Sequence, residues 1–373
     1  MSEYPFFNNV YPFVASSFAL AALAMTILLT ATTKMNFLTA VFFNTLWLIA
    51  SYVPLTHWMK PFASTGRVSG WLSQTGFGTL DSTSAHAVHM NAGVAFLVLS
   101  FWMGELRTRT VVVPDYDNFF WLKFGFSGYI VAGSLAGLSS MFATPAASAG
   151  AFPWSLNFIN TASVSGTFIP VEAGPKLINV LLASGAGLLT MVAIDVVFNH
   201  GQGLFKGRPS ASSALTGFLA GLISVTAGAG HISPNWASFF GFFTTLVVYV
   251  SPFVLGLVGI DQGYSPFVLH FIGAAVSSAL TGLFANPSYS GAIYQTGTAN
   301  VADLAHYSGS FYNNSVQLGK QCAAISVTFL LSAVATTAVY WTVYAVERLC
   351  IFPHIKSLKE GDEGEENLVA LKF

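Results

Sequence analysis

Long apolar runs separated by short polar stretches make up almost the whole chain. Nine of these runs are long enough to cross a bilayer as helices, which takes about 20 residues each. They lie at approximately 12–32, 36–55, 84–104, 119–143, 175–198, 211–229, 235–258, 265–286 and 320–346. The stretch 145–171 is also apolar, but prolines, glycines and serines interrupt it. That interruption predicts an external loop with a short half-helix.

The composition supports a membrane location. Of the 373 residues, 54% are hydrophobic and only 8% are charged, whereas soluble domains carry about 25% charged residues. We therefore predict an all-α polytopic membrane protein with about nine transmembrane helices. One transmembrane domain is expected over 1–350, followed by a short acidic tail over 351–373.

Charge and cysteine content exclude several function classes. A net charge of −1 argues against a nucleic-acid partner. Two cysteines, Cys322 and Cys350, indicate neither a disulfide framework nor a metal site. No nucleophile–base pair, metal-ligand spacing or phosphate-binding loop is visible, so we expect no enzyme activity, no catalytic residues, no metal and no cofactor.

The basic residues predict the orientation. With an odd number of spans the two termini face opposite sides of the membrane. Ten of the 14 Lys and Arg residues fall on the side of the C-terminus. Because cytoplasmic loops carry the excess of basic residues, we predict the N-terminus outside and the C-terminus inside.

Two segments combine an acid with a histidine inside a predicted span. One begins at Asp81 and places His86 and His89 on one helix face, and the other begins at Asp261 and contains His270. Histidine is costly in hydrocarbon, so an intramembrane histidine suggests function. The alternative is a packing histidine that satisfies one backbone carbonyl.

The two segments also resemble an internal repeat, with one copy in each half of the chain. Transporters place their sites near the midplane between such repeats. His89 and His270 are therefore expected to meet near a pseudo-two-fold axis. Asp81 lies at the outer start of its span, where a carboxylate accepts helix N-terminal amides. We favour that structural role for Asp81 over direct ion coordination.

Several motifs together resemble the ammonium transporter (Amt/Mep/Rh) family. HMNAG at 89–93 is similar to the family's HINAG, and KGRPS at 206–210 to its GKPS. The helices LTGFLAGLISVTAGAG (215–230) and LHFIGAAVSSALTGLFA (269–285) resemble LxGxxAGLVxITxxxG and VHGxxGxxGxxLTGxFA. The segment at 34–58 resembles the family helix that ends in YxPxAHWxW. The resemblance runs from about residue 15 to 346.

The resemblance implies a function and an architecture. It implies transport of ammonium or ammonia through a narrow apolar pore lined by the twin histidines His89 and His270, with Asp81 at the outer vestibule. It also implies an inverted-repeat channel bundle in membrane lipid, assembled as a homotrimer. Phe18 and Phe142 are candidates for the family's paired phenylalanine gate. Trp58 and Ser148 are candidates for cation recruitment.

The chain departs from the family pattern in two places. The family usually has eleven spans, and this sequence resembles it from the third onward, so the first half of the bundle is expected to be incomplete. At the outer site Trp58 is displaced, and Lys60 stands near the expected tryptophan. These departures leave an alternative open: a transporter-derived structural subunit of a larger hetero-oligomeric membrane complex, with little or no conduction. A sensor that reports ammonium to a partner ranks third.

Overall fold

The computed structural model describes a bundle of helices and short connecting turns. The residues described are 21, 24, 27–28, 35, 37–59, 70–73, 76–82, 84–103, 173–198, 211–260, 265–287, 289 and 308–348. Within them the helices are α1 (Phe37–Trp47), α2 (Val53–Met59), α3 (Asn91–Trp102), α4 (Ala173–Phe198), α5 (Ala211–Ser224), α6 (Pro234–Leu257), α7 (Gly273–Phe284) and α8 (Gln317–Val346). The prediction of an all-α protein is confirmed, since this part of the chain contains no strand.

Three π-helical turns join or precede these helices. The first, Leu48–Tyr52, connects α1 to α2. The second, Ala85–Met90, leads into α3, and the third, Phe267–Ile272, leads into α7. A 3₁₀ turn at Ser310–Tyr312 precedes α8.

Six helical segments are long and apolar enough to cross a membrane. They are Leu38–Met59, Ala85–Trp102, Ile178–Val197, Pro234–Leu257, Phe267–Phe284 and Gln317–Val346, and a shorter apolar helix covers Ser213–Ser224. Each overlaps one of the predicted spans, although Leu38–Met59 continues four residues beyond the predicted end at 55. The predicted span 119–143 and most of 12–32 lie outside the described residues, as do the loop 145–171 and the tail 351–373. The count of nine spans therefore stays a prediction.

Glycines bring α4, α5 and α6 into close contact. Gly187 on α4 and Gly217 on α5 each lie against the carbonyl oxygen of the other. Gly221 on α5 and Gly241 on α6 both lie against the carbonyl oxygen of Ala183. A Cβ at any of these glycines would collide with the backbone of the neighbouring helix. Small residues allow helices to pack this closely in lipid, where no hydrophobic effect drives them together.

A row of buried polar side chains runs along α8, and we call it the polar stripe. It faces the first half of the chain, while Leu330 and Val334 on the other face are exposed. Its hydrogen bonds join Gln317 to Gly78, Gln321 to Leu80, Thr328 to His86, Ser332 to Asn91 and Thr336 to Trp47. These polar contacts hold α8 against the first half together with apolar packing, in which Val339, Tyr340 and Val343 join Trp47 and Leu99 in one buried cluster.

Helix α5 ends earlier than the hydropathy pattern predicts. The apolar run continues to 229, but the helix ends at Ser224 and residues 225–230 form turns. Two backbone amides there bond outside the helix: Ala227 N–H donates to Ser277 Oγ and Gly230 N–H to Ser82 Oγ. The turn is thereby fastened to the loop that follows Asp81 and to α7.

Candidate functional site

Each histidine of the predicted pair lies in a π-helical turn at the start of a longer helix. His89 belongs to the second π turn and His270 to the third. π turns are rare and occur frequently at functional sites. The two halves therefore present their histidines in the same local structure, as an internal repeat would.

The structure brings these two imidazoles together. His89 Nδ1 lies 3.0 Å from His270 Nδ1, which is hydrogen-bonding distance. The ring planes are within 5° of parallel and the ring centroids are 5.2 Å apart. Because the nitrogens are much closer than the centroids, the rings meet edge to edge rather than face to face. Both side chains are buried, with exposed fractions of 5% for His89 and 8% for His270.

This contact constrains the protons on the pair. A neutral imidazole has one N–H donor and one acceptor nitrogen. A bond between two Nδ1 atoms therefore requires the proton on one Nδ1 and a lone pair on the other. The ring that donates at Nδ1 keeps an acceptor at Nε2, and its partner keeps an N–H donor there. The pair thus offers one donor and one acceptor to a small molecule beside it.

Asp81 holds the start of the second π turn. Its Oδ1 accepts the Ala85 N–H at 2.8 Å and its Oδ2 accepts the His86 N–H at 3.1 Å. Ser84 adopts a left-handed conformation with φ of 60°, which turns the chain into the helix. These contacts have the geometry of the N-terminal cap expected for Asp81. The carboxylate sits eight residues before His89 and anchors the turn that carries it.

His86 is the most deeply buried of the histidines in this region, with no exposed surface. Its Nδ1 lies 3.0 Å from Thr328 Oγ1, and its Nε2 lies 3.1 Å from Ser278 Oγ. Sequence analysis placed His86 and His89 on one helix face. In the structure their rings bond to different elements: His89 contacts the third π turn, and His86 contacts α7 and α8.

Apolar side chains surround the histidine pair. Phe267 stacks on Phe271 with ring centroids 5.2 Å apart, and Phe271 also contacts Phe329 at 5.4 Å. Val268 and Met90 have no exposed surface. The two imidazoles are thus buried next to an apolar cluster, where polar contacts are stronger than in solvent.

The remaining predicted site residues are only partly accounted for. Trp58 is half-buried on α2 and packs against Trp71, with ring centroids 5.6 Å apart. Phe18, Phe142 and Ser148 lie outside the described residues. Sequence reasoning did not single out Trp71 or Ser278. Trp71 stands outside the motifs, and Ser278 falls at an unspecified position of the motif at 269–285. Among the described residues, no group of three or more His, Cys, Asp or Glu could hold a metal ion.

Comparison with known proteins gives the same family as the motifs. The family model described as Ammonium Transporter Family matches residues 4–115 and 152–354. The ammonium transporter of Bacillus subtilis is 26% identical over 311 residues, covering 81% of this chain and 61% of that protein. The ammonium transporter of Aquifex aeolicus is 26% identical over 317 residues, covering 84% of this chain and 60% of that protein. This chain thus spans about three fifths of the length of these relatives.

A solved structure shares the fold. The crystal structure of Saccharomyces cerevisiae Mep2 superposes with a TM-score of 0.64 at 20% identity, covering 89% of this chain and 64% of that one. The relatives are transporters rather than enzymes, and the protein is an integral, multi-pass membrane protein. With the family model matching most of its length, the chain belongs to the ammonium transporter family.

Proposed function

We propose that this protein carries ammonium across a membrane and that ammonia passes the His89–His270 pair as the neutral molecule. One observation carries the proposal. Two buried imidazoles, from segments 181 residues apart in sequence, meet at 3.0 Å in apolar surroundings. The ammonium transporters among its relatives support the choice of substrate.

The physical argument rests on the cost of burying charge. Moving an intact ammonium-sized cation from water into a medium of low dielectric costs of order 20 kcal/mol in the idealised limit. A neutral molecule avoids that cost but still needs hydrogen-bond partners when it leaves water. The donor and acceptor at the two Nε2 atoms supply those partners. The ion therefore gives its proton to water before the pair, and the ammonia takes a proton from water beyond it.

The other predicted residues take supporting roles in this proposal. Asp81 positions the second π turn, and Trp58 contributes a π face at which a cation is attracted. Phe18, Phe142 and Ser148 retain their predicted roles in gating and recruitment. The predicted orientation, the domain over 1–350 and assembly as a homotrimer or within a hetero-oligomeric complex also belong to the proposal.

Reconstituted flux tests the proposal. The purified protein is placed in liposomes, and ammonium-dependent flux is compared among wild type, His89→Ala and His270→Ala. We expect either alanine to lower flux by about tenfold, since it removes a buried hydrogen bond to the permeating molecule. His57→Ala is the matched control, because His57 is exposed on α2.

Two outcomes would contradict the proposal. One is unchanged flux in both alanine variants. The other is wild-type flux no greater than that of empty liposomes. If that second result came with strict co-purification of other membrane subunits, the structural-subunit alternative would replace transport.

A further inference from the structure

His86 has an unusual environment for a histidine outside the pair. Its side chain is completely buried, and both ring nitrogens lie within hydrogen-bonding distance of a hydroxyl. The two hydroxyls come from different helices: Ser278 from α7 and Thr328 from α8. The ring therefore joins three elements at one point.

We propose that His86 is a positioning residue that sets the register at which His89 meets His270. This inference rests on the proposed function, since it concerns the same site. It assigns no contact between His86 and the permeating molecule. The hydrogen bond of His86 to Ser278, more than its bond to Thr328, holds the histidine pair in contact.

The contact between the segment 85–102 and the segment 267–284 forms a seam between the two halves. Helix α3 packs against the third π turn and the second π turn packs against α7, so the two segments cross in opposite directions. Along this seam Gly93 lies against Phe271, His89 against His270, and His86 against Ser278.

Two hydrogen bonds between the same two segments restrict their relative position more than one bond does. With the His89–His270 bond alone, one helix could still rotate or slide about that contact. The His86–Ser278 bond lies three residues away on the first segment and eight away on the second. A second tie between the same two segments removes this freedom and determines how the two Nδ1 atoms approach.

The chemistry of the tie suits a positional role. A hydroxyl both donates and accepts, so Ser278 and Thr328 satisfy either neutral tautomer of His86. The tie therefore holds whichever ring nitrogen carries the proton. The Nδ1–Nδ1 bond of the pair has no such tolerance, because exactly one of its two nitrogens must carry the proton. His86 can therefore hold the seam in place whichever nitrogen of the pair carries the shared proton.

Two amide substitutions separate the two bonds of His86. The side-chain amide of glutamine reaches about as far as Nε2, so His86→Gln retains a partner for Ser278. The amide of asparagine is about as far from the backbone as Nδ1, so His86→Asn retains a partner for Thr328. We expect His86→Gln to keep most of the wild-type ratio of ammonium to potassium flux. His86→Asn is expected to lower that ratio by about fivefold, which corresponds to one buried hydrogen bond.

The hydroxyl partners give an independent comparison. Ser278→Ala is expected to reproduce the loss seen in His86→Asn, whereas Thr328→Val has a smaller effect on the flux ratio. His86→Phe fills the space without either bond and is expected to be at least as impaired as His86→Asn. If His86→Phe fails to fold, the pair Ser278→Ala and Thr328→Val still decides the question.

A readout that does not depend on transport completes the test. Nitrogen-15 NMR of histidine-labelled protein reports the shared proton between His89 and His270. We expect this signal to be lost in Ser278→Ala and kept in Thr328→Val. An unchanged signal and flux ratio in both Ser278→Ala and His86→Phe would overturn the positioning role. Absence of flux in wild type with the signal present would instead overturn the proposed function alone.

Discussion

The backbone of Gly93 lies directly against the backbone of Phe271. A Cβ on Gly93 would come within 2.6 Å of the Phe271 amide nitrogen and 2.9 Å of its Cβ. Gly93 is one helical turn beyond His89, and Phe271 follows His270 directly. Only a glycine at 93 allows the two histidine-bearing segments to approach this closely.

Gly93→Ala is therefore expected to push α3 away from the third π turn. The backbone of Phe271 cannot move aside as a flexible side chain would, so we expect a loss of stability of about 1–3 kcal/mol, as for overpacked cores. We also expect flux to fall, because the imidazoles separate. Thermal unfolding in detergent and liposome flux measure the two effects.

Gly185→Ala is the control for this substitution. Gly185 also lies within a helix, but a Cβ there would meet nothing within 4 Å. It is expected to be neutral or slightly stabilising, since alanine favours the helix over glycine. Equal effects of the two substitutions would contradict the close-contact explanation.

Asp81 offers a way to separate capping from charge. Asp81→Ala removes both acceptors of the Ala85 and His86 amides and should cost about 0.5–2 kcal/mol of stability, as the loss of a helix cap does. Asp81→Asn keeps one acceptor oxygen without the charge and should retain most of the stability and flux. Thermal unfolding and flux at several ammonium concentrations check this. If Asp81→Asn were as inactive as Asp81→Ala while remaining stable, the carboxylate would act on the cation directly.

The side chain of Gln321 satisfies both backbone hydrogen-bonding groups of Leu80. Its side-chain amide donates to the Leu80 carbonyl at 2.7 Å and accepts from the Leu80 N–H at 3.2 Å. Gln321→Leu leaves two buried backbone groups without partners, so we expect a loss of about 2–4 kcal/mol. Ser326→Ala, at an exposed position on α8, should change stability by less than about 0.5 kcal/mol. Denaturation curves that did not distinguish the two variants would contradict this role.

Glu347 gives a prediction on pH. It follows the last residue of α8, is only 3% exposed, and accepts a hydrogen bond from Thr39 Oγ1 at 3.4 Å. Burial raises the pKa of this carboxyl, although the Thr39 bond and the nearby Arg348 charge oppose the shift. The folded protein therefore binds this proton more tightly than the unfolded chain. Stability is lost as pH rises from the ordinary carboxyl pKa through the raised one.

Glu347→Gln removes that loss while keeping an acceptor for Thr39. We expect its unfolding midpoint to exceed that of wild type at neutral pH, and the difference to shrink as the pH falls below the ordinary carboxyl pKa. Thermal unfolding between pH 4 and 8 measures the difference. A variant less stable than wild type at neutral pH would show that the charge is stabilised by a partner.

The histidine contact could be anticipated because its two segments carry the same acid-to-histidine pattern in an apolar context. The six spans seen among the described residues likewise follow from hydropathy alone. The partners of His86 could not be anticipated, since Ser278 and Thr328 are 192 and 242 residues away and resemble ordinary small residues of apolar helices. The early end of α5 was also hidden, because Ala227 and Gly230 bond to hydroxyls on distant segments. A hydropathy profile reports how apolar a segment is, but it does not show which hydroxyl group bonds to which backbone amide.

The polar stripe of α8 bears on how such a bundle could work. Its first bond joins Gln317, at the start of α8, to Gly78. Its last joins Thr336, about two thirds of the way along α8, to Trp47. Each bond is worth only about 0.6 kcal/mol on average within a membrane, but rocking one half against the other would break them together. Transport by alternating exposure of a central site would thus face a penalty at every turnover. The polar stripe therefore favours a single arrangement of the two halves over one that rocks.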